Sequence, residues 1–202
     1  MGLVFPTIKH LESLLPYGSA TEALEAARRR EVRPVEPIAT PELMRAIDVF
    51  FRARSFTEFL KLSPARQARI LPFVHEWAQG AAGWSAVELF RALNAIFELR
   101  ERCVRATQPF DYLLPPTSPI PAYDAEEPCP GSDPARPFEH LCFAAPFNQS
   151  EQPAASINCG FTSDGLPIGL QIVGHRFDDL GVLRLARAWE RLRPEMSAFP
   201  PL

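Results

Sequence analysis

The hydrophobic pattern is clearest near the end of the chain, where its period changes. Pro153–Phe161 ("PAASINCGF") and Leu166–Val173 ("LPIGLQIV") read as two strands joined by Thr162-Ser163-Asp164-Gly165. Asp-Gly between two apolar runs is a strong hairpin signal, because the glycine accepts the positive φ that a tight turn demands. Past His175 and Arg176 the apolar spacing lengthens to about three, which predicts a helix from about Asp178 to Arg193. Asp178 or Asp179 is its cap, and Leu180, Leu183, Ala186 or Arg187, and Trp189 are its inward side, with Leu183 and Trp189 expected on the hairpin. Arg191 and Arg193 suit the negative helix end, and Pro194 stops it.

Helical spacing also dominates the middle of the chain. Thr40-Pro41 pairs an N-cap with a proline at the first helical position, and Met44, Ile47, Phe50 and Phe51 follow as one apolar side. Ser63-Pro64 repeats the start signal, and Pro72 opens a further short helix carrying Phe73, Val74 and Trp77. Gly80 to Gly83 breaks the pattern, and Ser85 with Glu88 then forms a capping box for the longest helix. Its expected core stripe is Phe90, Leu93, Ile96, Phe97 and Val104, and it ends before Pro109. "FDYLLPPTSPIPAY" (Phe110–Tyr123) reads as a buried strand running into a proline-rich loop.

At the other end, Gly2–Phe5 is a short apolar run. Ser19 and Glu22 box a helix that continues to Arg30, and Glu31–Pro37 reads as an edge strand because Pro34 removes a ladder donor. Strand, helix, strand suggests a βαβ unit. The expected fold class is therefore α/β, a mixed sheet flanked by helices, with residues 1–202 forming one unit.

Composition narrows the function classes. A 202-residue chain that is 47% hydrophobic can bury a substantial core. A net charge of −3 offers no electrostatic surface for nucleic acid or membrane. No apolar run approaches the roughly 20 residues of a membrane span, and "MGLVFPTIKH" does not read as a signal peptide, so the cytoplasm is the default compartment. Cys103, Cys129, Cys142 and Cys159 form no C-x-x-C pair, so neither zinc nor another metal is expected, and no cofactor is implied. The acidic, proline-rich residues 124–137 read as a solvated loop.

Three stretches then converge. "GLPIGLQIVG" followed by "RFDDLGVLRLARAWE" resembles the C-terminal end of the amidase signature family. "FDYLLPPTSPIPAY" resembles that family's D-x-L-L-x-P-T-x-P strand and loop, and "APFNQSEQPAASINCGF" its N-x-x-x-x-P-A-x-S-x-P-x-G segment, in matching order and spacing. "EAARRREVRPVEP" is similar to the family's "LEAAGAEVRPVEP", so the resemblance covers most of the chain, as a C-terminal half. It implies a hydrolase of carboxylic amides or a glutamine-dependent amidotransferase component, working through a Ser–cis-Ser–Lys triad. A serine hydroxyl needs an adjacent base, and a lysine serves only when burial keeps it neutral.

The chain contains no Ser-Ser dipeptide and no G-G-S-S-G-G-like run; its two lysines, Lys9 and Lys61, lie outside the family's catalytic context. "MGLVF" resembles a family strand just downstream of the triad, so the catalytic N-terminal half is expected to be missing. No catalytic residue is assigned. Pro116, Thr117 and Ser118, at the end of the presumed core strand, are the candidate substrate-pocket residues, a rigid surface turn being the alternative. Cys159 with His175 could form a nucleophile and base, although an inert thiol is the favoured reading. Ser118, His140 and Asp178 could be assembled into a triad, but no G-x-S-x-G elbow accompanies them. His75 reads as a packed or half-exposed core residue. Leu141 stands where amidotransferase members of the family commonly hold glutamine with an acid, and Glu139 lies two residues earlier, which favours a generic small amide substrate. Expected partners are a separate chain carrying the N-terminal half, or self-association. A non-catalytic scaffold or binding protein is the alternative.

Overall fold

The computed structural model describes residues 35, 36 and 38–192. The chain divides into two compact units between Glu36 and Pro37, and the second is the one considered below. The expected opening strand and its capped helix lie outside the described residues, as does Arg193. Of the expected edge strand, only Val35 and Glu36 are described, and both are irregular.

Four helices come first: α1 (Pro41–Leu60), α2 (Pro64–Gln67), α3 (Pro72–Gln79) and α4 (Ala86–Thr107). Their starts follow from local chemistry. Thr40 Oγ1 accepts from the Leu43 amide at 3.4 Å, and proline stands in the first turn of α1, α2 and α3, where no N–H is needed. The capping box of α4 closes in both directions, the Ser85 amide donating to Glu88 Oε2 at 2.7 Å and the Glu88 amide to Ser85 Oγ at 3.2 Å. Leu43, Met44 and Ile47 of α1 meet Ile96, Leu99 and Cys103 of α4 in one core. Phe50 and Phe51 pack at its margin, and Phe51 sets its ring edge-on to Phe138 at 6.0 Å.

The buried stripe of α4 is not the expected one. Ala92, Ile96, Leu99, Cys103 and Thr107 face the core, while Phe90 is 62% exposed and Phe97 51%. At 100° per residue the Phe90–Phe97–Val104 row lies roughly 140° round the helix from the Ala92–Leu99–Cys103 row. Of the predicted stripe only Ile96 is buried; Leu93 is intermediate. Both rows keep helical spacing, so periodicity alone could not choose between them.

The short helix α5 (Ala145–Ser150) leads through Glu151, in left-handed conformation at φ 60°, into β1 (Ala154–Phe161) and β2 (Pro167–Val173). The hairpin forms as expected, antiparallel with Ala154 opposite Val173. Its turn is closed by the Thr162 amide on the Leu166 carbonyl at 2.8 Å, with Gly165 at φ 89°. Leu113, Pro115 and Thr117 lie antiparallel along the other side of β2. Val173 N–H donates to Leu113 O at 2.9 Å, Gln171 N–H to Pro115 O at 2.8 Å, and Thr117 N–H to Gly169 O at 2.9 Å. The α/β expectation holds, but a mixed sheet does not appear: every strand pairing among the described residues is antiparallel.

The last helix, α6 (Asp179–Leu192), starts on Asp178, whose Oδ1 accepts from the Gly181 amide at 3.1 Å. A side chain at Gly181 would collide with that carboxylate and with the Tyr112 hydroxyl. Trp189 reaches the sheet as expected and donates its indole N–H to the Asn158 carbonyl at 3.1 Å. Leu183 does not: it is 62% exposed, and Val182 is buried against Gly174 instead. The inward side runs Val182, Leu185, Ala186, Trp189: the expected Ala186 and Trp189 are kept, and Val182 and Leu185 stand in for Leu180 and Leu183.

These packing assignments set an expected contrast. Leu99→Ala, at a fully buried site, should lower unfolding free energy by about 2–5 kcal/mol, whereas Phe97→Ser should stay within about 0.5 kcal/mol. Denaturant titration of both variants measures this; equal losses would refute the burial pattern given for α4.

Candidate functional site

Pro116, Thr117 and Ser118 stand where the segment paired with β2 leaves the sheet. Pro116 lies opposite Leu170 and, having no N–H, has no donor for a further strand. Thr117 is held twice, by its amide on the Gly169 carbonyl at 2.9 Å and by its hydroxyl, 2.7 Å from Ser156 Oγ of β1. Ser118 turns the chain, its Oγ accepting from the Ile120 amide at 3.3 Å.

The hydroxyl pair spans the full width of β2, because Gly169 between the two outer strands has no side chain. A Cβ there would sit 2.7 Å from Thr117 Oγ1 and 3.0 Å from Ser156 Oγ. Ser156 is the serine of the quoted P-A-x-S stretch and Gly169 lies within "GLPIGLQIVG", but sequence reasoning gave neither a role. A glycine inside a strand pattern does signal close approach of another group, so the notch was open to prediction; its occupant was not.

A separate open groove of about 1160 Å³ lies between α1, α4 and residues 135–142, with Asp48, Arg52, Trp84, Arg91, Arg136 and Phe138 on its walls. None of the three candidate residues lines it. Its charges are largely committed. Arg52 donates to Asp48 Oδ2 at 2.8 Å, to the Pro134 carbonyl at 2.9 Å and to the Trp77 carbonyl at 3.3 Å, while Asp48 Oδ1 accepts from the Trp77 indole at 2.7 Å. Arg136 pairs with Glu139, which holds the Glu139 carboxyl below its ordinary value, mainly through that hydrogen bond.

The other candidates are not brought together. Asp178 caps α6 and receives the Tyr112 hydroxyl at 3.4 Å. His140 packs edge-on to Tyr123 at 5.6 Å, and burial pushes its imidazole below the ordinary histidine value. With Ser118 tied to Ile120, these three do not form a triad. Cys159 sits in the register break of β1, its thiol on the Ile168 carbonyl at 3.4 Å. His175 lies two residues past Val173, whose partner Ala154 is five residues, or about 16 Å of strand, from Cys159, so it is not placed to serve as the base of Cys159. His75 packs on Phe59 at 4.9 Å, as a core-edge residue should. Lys61 is exposed and pairs with Glu58 at 2.7 Å, which gives it none of the burial a neutral lysine base needs; Lys9 lies outside the described residues.

The acidic loop uses its carboxylates to shape itself. Asp124, Glu127 and Asp133 accept from the amides of Glu126, Gly131 and Ala135 at 3.0, 3.2 and 2.8 Å. Among the described residues no group of three or more His, Cys, Asp or Glu is placed to hold a metal ion, and no helix is long and apolar enough to cross a membrane.

Cysteine reactivity tests this geometry. Burial pushes the Cys103 thiol up to about 11, and its Sγ donates to the Pro146 carbonyl at 3.4 Å, whereas Cys159 is exposed. Iodoacetamide at pH 8 should label Cys159 on the order of 100-fold faster than Cys103 in the folded chain, and Cys159→Ser should remove the fast site. Peptide mass spectrometry reads both rates; comparable labelling of Cys103 would contradict its burial.

Comparison with known proteins follows the same outline. A family model described as Amidase matches residues 5–183. A glutamyl-tRNA(Gln) amidotransferase subunit from Myxococcus xanthus is 41% identical over 122 residues, covering 60% of this chain and 25% of the relative. The protein of the same name from Methanococcoides burtonii is 33% identical over 120 residues, covering 59% of this chain and 25% of the relative. Among solved structures, one titled "Crystal structure of amidase" superposes with a TM-score of 0.68 at 20% identity, over 92% of this chain and 42% of that one. The 6-aminohexanoate cyclic dimer hydrolase complexed with substrate gives 0.63 at 21% identity, over 84% of this chain and 39% of that one. At these identities the superpositions establish the fold alone. The chain thus spans about a quarter of the length of the curated relatives it matches.

Proposed function

The chain belongs to the Amidase family, and from that membership we propose that it is the C-terminal portion of a carboxylic-amide hydrolase, silent by itself and completed by a second polypeptide. One observation supports the reading: no Ser-Ser dipeptide occurs in the sequence and no buried lysine occurs among the described residues. The one described lysine, Lys61, is solvent-exposed and ion-paired with Glu58. A serine without its base and oxyanion donors loses interactions that each carry orders of magnitude in rate.

Uncovered apolar surface supports a missing partner. Val87, Phe90, Phe97 and Val104 form an outer row on α4, and Phe177, Leu180 and Leu183 a second patch beside α6. Phe177 is 90% exposed and held at φ 70°, a conformation that a bulky residue adopts at a cost. A helix apolar on two sides is one that expects cover on both. In this proposal the cover is the N-terminal half of the family domain, supplied by a separate cytoplasmic chain, with self-association as the fallback when that chain is absent.

The relatives' name, an amidotransferase, brings the glutamine-dependent alternative of the family resemblance into view. Glu139, the carboxylate nearest the position that would hold glutamine, is engaged by Arg136, so a simple carboxylic amide is the proposed substrate, with Pro116, Thr117 and Ser118 as part of its pocket wall.

Two measurements test the proposal. Incubated alone with a panel of simple amides, the chain should release ammonia at the buffer rate; mixed with a polypeptide bearing a G-G-S-S-G-G-like segment it should form a complex and hydrolyse. Stoichiometric labelling of one serine by a fluorophosphonate in the chain alone would overturn the proposal. In light scattering the purified chain should associate with rising concentration. A monodisperse monomer melting cooperatively above roughly 65 °C would instead support a self-sufficient binding domain.

A further inference from the structure

We propose that Ser156 is a positioning residue for the candidate pocket wall Pro116–Ser118, acting through Thr117 across a notch that Gly169 keeps open. The inference rests on reading that segment as a wall of the site, and it adds two residues, Ser156 and Gly169, to it.

Strands in a sheet lie about 4.8 Å apart, so groups on the two outer strands of three are separated by roughly 9–10 Å of backbone. Thr117 Oγ1 and Ser156 Oγ are nevertheless 2.7 Å apart, an ordinary O–H···O bond. The side chains lean over the middle strand, which is possible only because Gly169 is bare there: a Cβ would fall 2.7 Å from Thr117 Oγ1, 3.0 Å from Thr117 Cβ and 3.0 Å from Ser156 Oγ. The position of the bond gives it leverage. Pro116 contributes no amide to the ladder, and the Thr117 amide on Gly169 is the final backbone bond before the chain turns away at Ser118. The hydroxyl bond therefore gives a second tie to the residue at which the loop leaves the sheet. It does so from β1, a strand to which the loop has no backbone bond. Ser156 need touch no substrate for this; it sets the direction in which Thr117 and Ser118 leave the sheet.

The test is amide hydrogen exchange on the full chain, read with no substrate or partner present, so its outcome is independent of whether the completed protein hydrolyses amides. Thr117→Val removes the hydroxyl at nearly constant shape, Ser156→Ala removes its partner, and Gly169→Ala keeps both hydroxyls but wedges them apart. Each should speed exchange of the Thr117 amide about fivefold, the loss expected for one neutral hydrogen bond. The Val173 amide, bonded to Leu113 at the other end of the ladder, should keep its protection. Thr117→Ser, which retains the hydroxyl, should restore slow exchange. The proposal is overturned if Thr117→Ser exchanges as fast as Thr117→Val, if the Thr117 amide is unaffected by all three disrupting variants, or if the Thr117 and Val173 amides loosen together.

Discussion

One buried glutamine holds the helical half of this unit and the sheet in a fixed relation. Gln152 Nε2 donates to Thr107 Oγ1 at the end of α4, at 3.0 Å, and to the Gly174 carbonyl just past β2, at 2.9 Å; its Oε1 accepts from Ser150 Oγ at 2.9 Å. Thr107, Ser150 and Gln152 are all buried, and each would cost about 1–3 kcal/mol if left unpaired. Because every donor of the amide is used, the end of the longest helix cannot drift from the end of the middle strand. The chain leaving Thr107 then returns within a few residues to pair Leu113 with Val173. That pairing carries Thr117 to Gly169 and so to Ser156.

A second anchor orders the helices among themselves. Arg52 is nearly enclosed, with Trp77 and Trp84 rings 5.7 and 5.8 Å from its guanidinium carbon. Burying such a charge is costly unless it is paired and hydrogen-bonded; Asp48 and the carbonyls of Trp77 and Pro134 take the two terminal nitrogens, while Nε is buried without a hydrogen-bond partner. The result links α1, α3 and the proline-rich excursion. Glu151 does similar work at the surface, where Arg100 at 2.5 Å and Arg176 both reach it. Exposed pairs of this kind contribute little, so the weight falls on Arg52 and Gln152. The polar centres fix geometry around the apolar core in which Leu43, Ile47 and Leu99 meet.

The two halves of the functional picture have different footing. Family membership rests on a match that runs through nearly the whole chain, and the fold on superposition with amidase structures. The reading of the chain as catalytically silent rests on what its residues lack, and the reading of its partner on apolar rows that its own core does not cover. The second follows from one physical feature: α4 and α6 each leave an apolar row exposed.

What the sequence alone determined here was local. Caps at Thr40, Ser85 and at one of Asp178 and Asp179, prolines at helix starts and the Asp164-Gly165 turn were legible because each is settled by a handful of neighbouring atoms, whatever the rest of the chain does. The three linked motifs made the family legible as well. Tertiary structure alone decided which row of α4 is buried, since Phe90–Phe97 and Ala92–Leu99 are equally periodic and only the position of α1 selects between them. It decided the phase of α6, where Val182 displaced Leu183. It also decided the candidate site, because Thr117 and Ser156 are 39 residues apart and meet only when β2 lies between them with a glycine at the crossing.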